Sequence, residues 1–123
     1  MALSLSPKQV SQLAFLQLLP PKLQRVQSVI EQMNNTKLDE TAVRGMIRVL
    51  DEMKAGASQQ SLNGLADALG GTASMARRGG GLQVKIRGLR DLMVSVRTNY
   101  DMAVKKASIP EAIVEDGSPG AAG

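Results

Sequence analysis

The sequence predicts an all-α protein, a four- to five-helix bundle with a long C-terminal helix. Three observations predict it. Capping chemistry opens three segments, apolar residues step by three and four along several stretches, and the last of these keeps a heptad rhythm over nearly three repeats. The 123 residues are short enough for one domain, read as residues 1–109 with a Gly-rich loop at 70–81, followed by an acidic, Gly/Ala-rich tail at 110–123.

The first helix begins at Ser6-Pro7-Lys8-Gln9. Ser6 caps, Pro7 fits the first turn because its missing N–H would be unpaired there, and Gln9 completes a capping box. Leu5 and Val10 stand at the positions of a hydrophobic staple. This helix spans about residues 7–18 and ends at Pro20-Pro21. The second proline opens the next helix, with Leu23, Val26, Ile30 and Met33 on one face and Asn34-Asn35 as its stop.

The third helix starts at Asp39, with Leu38 and Val43 as staple. Its apolar face is Val43, Met46, Ile47, Leu50 and Met53, and Gly56 ends it. A shorter fourth helix covers about 58–69, through Leu62, Leu65, Ala66 and Leu69. Seven of the twelve glycines fall within 56–81, and Gly70-Gly71 and Gly79-Gly80-Gly81 predict a mobile loop over 70–81 around a short turn at Thr72–Arg78. The fifth helix carries the seam Leu82, Ile86, Leu89, Met93, Val96 and Tyr100, continued by Ala103 and Ala107, and Pro110 stops it. The tail beyond is expected to be disordered.

Composition removes several chemistries. Without Cys there is no disulfide, thiolate nucleophile or iron–sulfur cluster, and without His the commonest general base and metal ligand are missing. The eleven acids follow no calcium-loop pattern. No metal, cofactor or catalytic residue is expected, and the chain is read as a non-enzyme. No apolar run approaches the length of a membrane span. The stretch 13–19 is short, interrupted by Gln17 and lacks a basic leader, so it reads as helix rather than as a secretory signal. An intracellular setting, cytoplasmic or nuclear, is the expectation. With one Phe, one Tyr and no Trp, burial rests on Leu, Val, Ile, Ala and seven Met residues.

The chain carries a net charge of +4 and an isoelectric point near 9.8. Eight bases against Asp91 and Asp101 give residues 76–106 a net of +6, while residues 107–123 hold three acids and no base. Arg77, Arg78, Lys85, Arg87, Arg90 and Arg97 therefore form the candidate contact set for an anion or a nucleic acid. Almost no aromatic residue is present to stack bases, and one Arg-Gly-Gly at 78–80 is weak support. The glycines build no phosphate loop, since no Lys-Ser/Thr follows them.

With Leu82 at position d, Lys85 at g and Arg90 at e would face each other in a parallel homodimer. Like charges disfavour that parallel self-zipper, and the arrangement suits an acidic helix, the chain's own or a partner's. Other homo-oligomers remain compatible. Glu40, Arg44, Arg48 and Glu52 make a stripe at four-residue spacing that reads as a solvent face. The functional expectation is a protein–protein interaction module, an adaptor or a subunit of a larger assembly. The alternative is a nucleic-acid-binding accessory protein using the basic face of 77–106.

Overall fold

The computed structural model describes residues 4–34 and 40–111. Its elements are α1 (Pro7–Leu16), α2 (Leu19–Gln32), α3 (Glu40–Gln59), α4 (Asn63–Arg77) and α5 (Leu82–Ser108), with no strand among the described residues. The fold is an all-α bundle with a long last helix. The Asp39 cap, the Leu38–Val43 staple, Asn35 and the segment 112–123 lie outside the described residues.

At about 1.5 Å per residue, the 27 residues of α5 span roughly 40 Å. They form the axis on which α1, α2 and α4 pack, and α3 closes the bundle between α2 and α4. Contacts fix the directions. Gln9 and Leu16 of α1 reach Lys106 and Tyr100, and Glu31 of α2 reaches Arg90, so α1 and α2 together run antiparallel along α5. On the other side, the backbone of Gly64 lies by Asn99, Gly71 by Leu92 and Gly88 by Met75, so α4 is antiparallel too.

The α1 start is as the sequence specifies. The Ser6 hydroxyl accepts from the Gln9 N–H at 3.1 Å, and Gln9 Oε1 accepts from the Ser6 N–H at 2.9 Å. Val10 is exposed, which leaves it without the burial a staple with Leu5 would bring. The helix stops at Leu16, two residues short of the expected end, and α2 begins at Leu19 with both prolines in its first turn. Neither proline breaks α2, because first-turn N–H groups have no intrahelical acceptor. Leu23, Val26, Ile30 and Met33 are all buried.

Two glycine readings are corrected. Gly56 does not end α3, which continues to Gln59. The stop comes later, where Leu62 N–H donates to Ala57 C=O at 2.8 Å and Ser61 N–H to Ser58 C=O at 3.0 Å, with Ser61 at φ 60°. This is a Schellman closure with serine in the left-handed position that glycine usually takes. Gly56 instead receives the chain's only phenylalanine: a Cβ there would collide with the Phe15 ring. Gly70-Gly71 likewise lies inside α4, which runs from Asn63 to Arg77 rather than from 58 to 69. The loop expected at 70–81 shrinks to residues 78–81, where Gly80 takes φ 116°.

The reason is the composition of the face α4 buries. Ala66, Thr72, Ala73 and Ala76 are buried beside Leu65 and Leu69, so small side chains let α4 lie close to α3 and α5. Thr72, fully buried, donates its hydroxyl to Ala68 C=O at 2.8 Å and leaves no orphan. Close packing supplies the stability that two helical glycines withhold.

The glycines separate by experiment. A Cβ on Gly71 would sit 3.8 Å from Leu92, an ordinary contact. Gly71→Ala should therefore raise stability by about 0.5–1 kcal/mol, through the lower entropy of the unfolded chain. Gly56→Ala should lower it by about 1–3 kcal/mol, because the Phe15 ring must leave its site. Urea denaturation of both variants checks the pair. Equal effects of either sign would contradict the packing described.

A candidate interaction groove between α4 and α5

The α5 seam serves the protein's own core. Ile86, Leu89, Met93 and Val96 are buried, and Tyr100 is half-buried. Leu82 departs from the seam reading: it is 48% exposed, because α5 starts where α2 and α4 have already ended.

The basic residues do not act as one patch. Arg90 makes a two-pronged pair with Glu31, Nη2 to Oε1 at 2.8 Å and Nε to Oε2 at 3.2 Å. That hydrogen bonding is the main reason the Glu31 carboxyl is held below the ordinary carboxylate range. The acid that Arg90 meets is thus on the chain's own α2, a helix that also carries Lys22 and Arg25. Arg77 pairs with Asp51 on α3, and Lys85 Nζ donates to Ala76 C=O at 3.4 Å near the end of α4. Arg78, Arg87 and Arg97 are exposed and make no ion pair among the described residues. Half of the six candidate contacts are therefore engaged internally. Of the four-spaced stripe, Glu40 and Arg44 pair at 3.2 Å in full exposure to solvent.

Two polar side chains fasten α1 across the bundle. Gln9, 4% exposed, caps its own helix through Oε1 and donates Nε2 to the carbonyls of Ile109 (2.5 Å) and Lys106 (3.3 Å), so one carboxamide closes the start of α1 and the end of α5. The second is the Tyr100 hydroxyl, which donates to Leu16 C=O at 3.1 Å. In a continuous helix that carbonyl would accept from residue 20, which is proline and has no N–H. Tyr100 replaces the donor that Pro20 removes.

The Tyr100 phenol is pushed above its ordinary value, first by burial and then by the Asp101 charge beside it. A folded-state value raised above the unfolded one means that the stabilisation is complete below about pH 10 and is lost as pH rises through the folded value. Tyr100→Phe should cost about 1–3 kcal/mol at neutral pH, by orphaning a half-buried carbonyl, and should remove that alkaline loss. Denaturation at neutral and alkaline pH checks both parts, and the phenolate absorbance of the sole tyrosine follows the titration directly.

An open concavity lies where the seam ends. A groove of about 620 Å³ runs between the first turn of α4 and the last turns of α5. Leu62, Leu65, Met102, Ala103 and Ile109 give it an apolar lining, and Lys105 and Lys106 stand on its rim. Met102 and Ile109 are 63% and 56% exposed. Neither lysine has an ion-pair partner among the described residues. The α4 start adds positive potential, since its N-cap Leu62 has no side-chain oxygen to offer the first-turn N–H groups.

Of the groove residues only Ala103, in the continuation of the seam, was singled out on α5, and none belongs to the basic contact set Arg77, Arg78, Lys85, Arg87, Arg90 and Arg97. The available signals were two large apolar residues, Met102 and Ile109, lying off the α5 seam beside consecutive lysines. Among the described residues no cluster of acidic side chains could hold a metal ion, and no helix is long and apolar enough to cross a membrane. Comparison with family models, curated proteins and solved structures finds no match.

Proposed function

We propose that the protein is a non-enzymatic helical interaction module, an adaptor or a subunit of a larger assembly. It holds a partner's apolar segment with acidic flanks in the α4–α5 groove. The observation that carries this reading is the groove itself: about 620 Å³ with an apolar lining and, on its rim, two lysines that make no ion pair among the described residues. Apolar lining supplies affinity in such a site, while rim charges set partner choice and association rate. The α5 seam residues Ile86, Leu89, Met93 and Val96 already fill the core, and the apolar residues of α5 exposed outside the groove, Leu82, Val84 and Val94, line no part of it.

Selection from a displayed peptide library tests the reading, followed by amide-shift mapping with the selected peptides. Recovered sequences are expected to carry adjacent aliphatic residues beside Asp or Glu, and to shift the amides of Asn63, Gly64, Leu65 and Lys105. Reversing both rim charges, Lys105→Glu with Lys106→Glu, should weaken binding about tenfold. Random peptides with no mapping to the groove would contradict the proposal. So would tighter binding of a duplex oligonucleotide through Arg78, Arg87 and Arg97 with a steep salt dependence, which would establish the nucleic-acid reading instead.

A further inference from the structure

The chain leaves α5 beside the groove and carries, immediately afterwards, the chemistry the groove would select. Ile109 lies on the groove wall, and its carbonyl is fixed by Gln9. Glu111, the last described residue, lines an adjoining cleft with Lys8, Gln12 and Lys106. The two clefts share Ser61, Leu62, Ala103 and Lys106, so they are continuous. The next residues in sequence are Ala112, Ile113, Val114, Glu115 and Asp116. They place two adjacent aliphatic side chains between acids, with no base anywhere after Lys106.

We infer that the segment 112–116 is a cis occupant of the α4–α5 groove, and that a partner must displace it. This rests on the groove being a dock for apolar segments with acidic flanks. Reach is not limiting: Ile113 is two residues past Glu111, about 7 Å of extended chain. Ile113 and Val114 match the apolar lining, and Glu115 and Asp116 match Lys105, Lys106 and the positive start of α4. Tethering makes a weak contact sufficient. A short linker gives an effective concentration on the order of 1 mM, so a segment whose free peptide binds at about 100 μM would be mostly docked in cis and would lower a competitor's apparent affinity about tenfold.

The experiment uses the full chain and a labelled peptide of residues 110–118 as probe, read by fluorescence anisotropy. Three proteins are compared: the wild type, the double variant Ile113→Ser with Val114→Ser, and that variant with Lys105→Glu and Lys106→Glu added. Circular dichroism confirms that each is folded. The double variant should bind the probe about tenfold more tightly than the wild type, and the added charge reversals should abolish the gain. Amide shifts separating wild type from double variant should be confined to Asn63, Gly64, Leu65, Asn99 and the end of α5. Equal binding to both would leave the groove as a dock and overturn the cis occupancy. Absence of binding to either protein would overturn the occupancy and the groove reading together. A second variant, Glu115→Lys with Asp116→Lys, keeps the aliphatic pair and should also release the groove. Unchanged binding in that variant would overturn the charge-matched form of the proposal.

Discussion

Replacing Leu89 by Ala is expected to destabilise the isolated protein by about 2–5 kcal/mol. Leu89 is fully buried at the middle of α5, among Ile86, Met93 and Val96 on the same face. Truncation there removes transfer energy and leaves a cavity, because α4 and α2 are held on either side by their own contacts and cannot collapse inward freely. For a domain of this size each kcal/mol moves the midpoint by roughly 4–8 °C, so thermal unfolding should fall by about 8 °C or more. Arg90→Ala, one residue along, is the control. It removes a half-exposed ion pair with Glu31, and its midpoint should stay close to that of the wild type. If the two variants melted together, the seam would not be the core.

The second large effect is expected at Gln9. In Gln9→Glu one oxygen can still accept from Ser6, but the other replaces a donor aimed at two carbonyls. The carbonyls of Lys106 and Ile109 lose their donor, at about 1–3 kcal/mol for each buried orphan, and face a negative charge in a nearly solvent-free position. The introduced carboxyl should be pushed above its unfolded value. Its folded state is then favoured below about pH 4, and the deficit grows as pH rises through the folded value. Stability measured across the acid range, as the difference from wild type, should narrow on acidification. A deficit independent of pH would show that lost packing, not the charge, is the cause.

Much of the fold was legible where sequence chemistry is local. Ser6, Pro7 and Gln9 specify the start of α1 without help from elsewhere. The faces of α2 and α5 repeat over enough turns to define themselves. Legibility failed where tertiary contact overrides a local preference. Gly56 reads as a stop because glycine favours helix ends, yet Phe15, far away in sequence, needs the space its missing side chain provides. Gly70-Gly71 reads as a loop, but the alanines around it bury a narrow face whose close approach to α3 and α5 outweighs the cost of two helical glycines. Ser61 gives no left-handed signal of its own; that conformation comes from the closure of α3 against Leu62.

The groove was less legible still. It is made from the first turn of one helix and the last turns of another, and no periodicity within either helix announces the space between them. The basic cluster was visible in sequence, but not the internal partners of three of its members: Arg77, Lys85 and Arg90 turn toward Asp51, Ala76 and Glu31. Two of the six charges meet acids 26 and 59 residues away, and a third meets a carbonyl nine residues back.

The long last helix has a consequence for how the molecule is made. Gln9 and Leu16 find their partners, Ile109, Lys106 and Tyr100, some 84 to 100 positions later in the chain. A nascent polypeptide elongating at about 5–20 residues per second takes roughly 1–5 s to add the 27 residues of α5. Throughout that interval α2 and α4 can pack on α3, but the faces of α1, α2 and α4 that α5 covers stay in water. α1 is therefore seated only after α5 has been made. Those contacts require closing a loop of 84 to 100 residues, an entropic cost that only the completed α5 can offset.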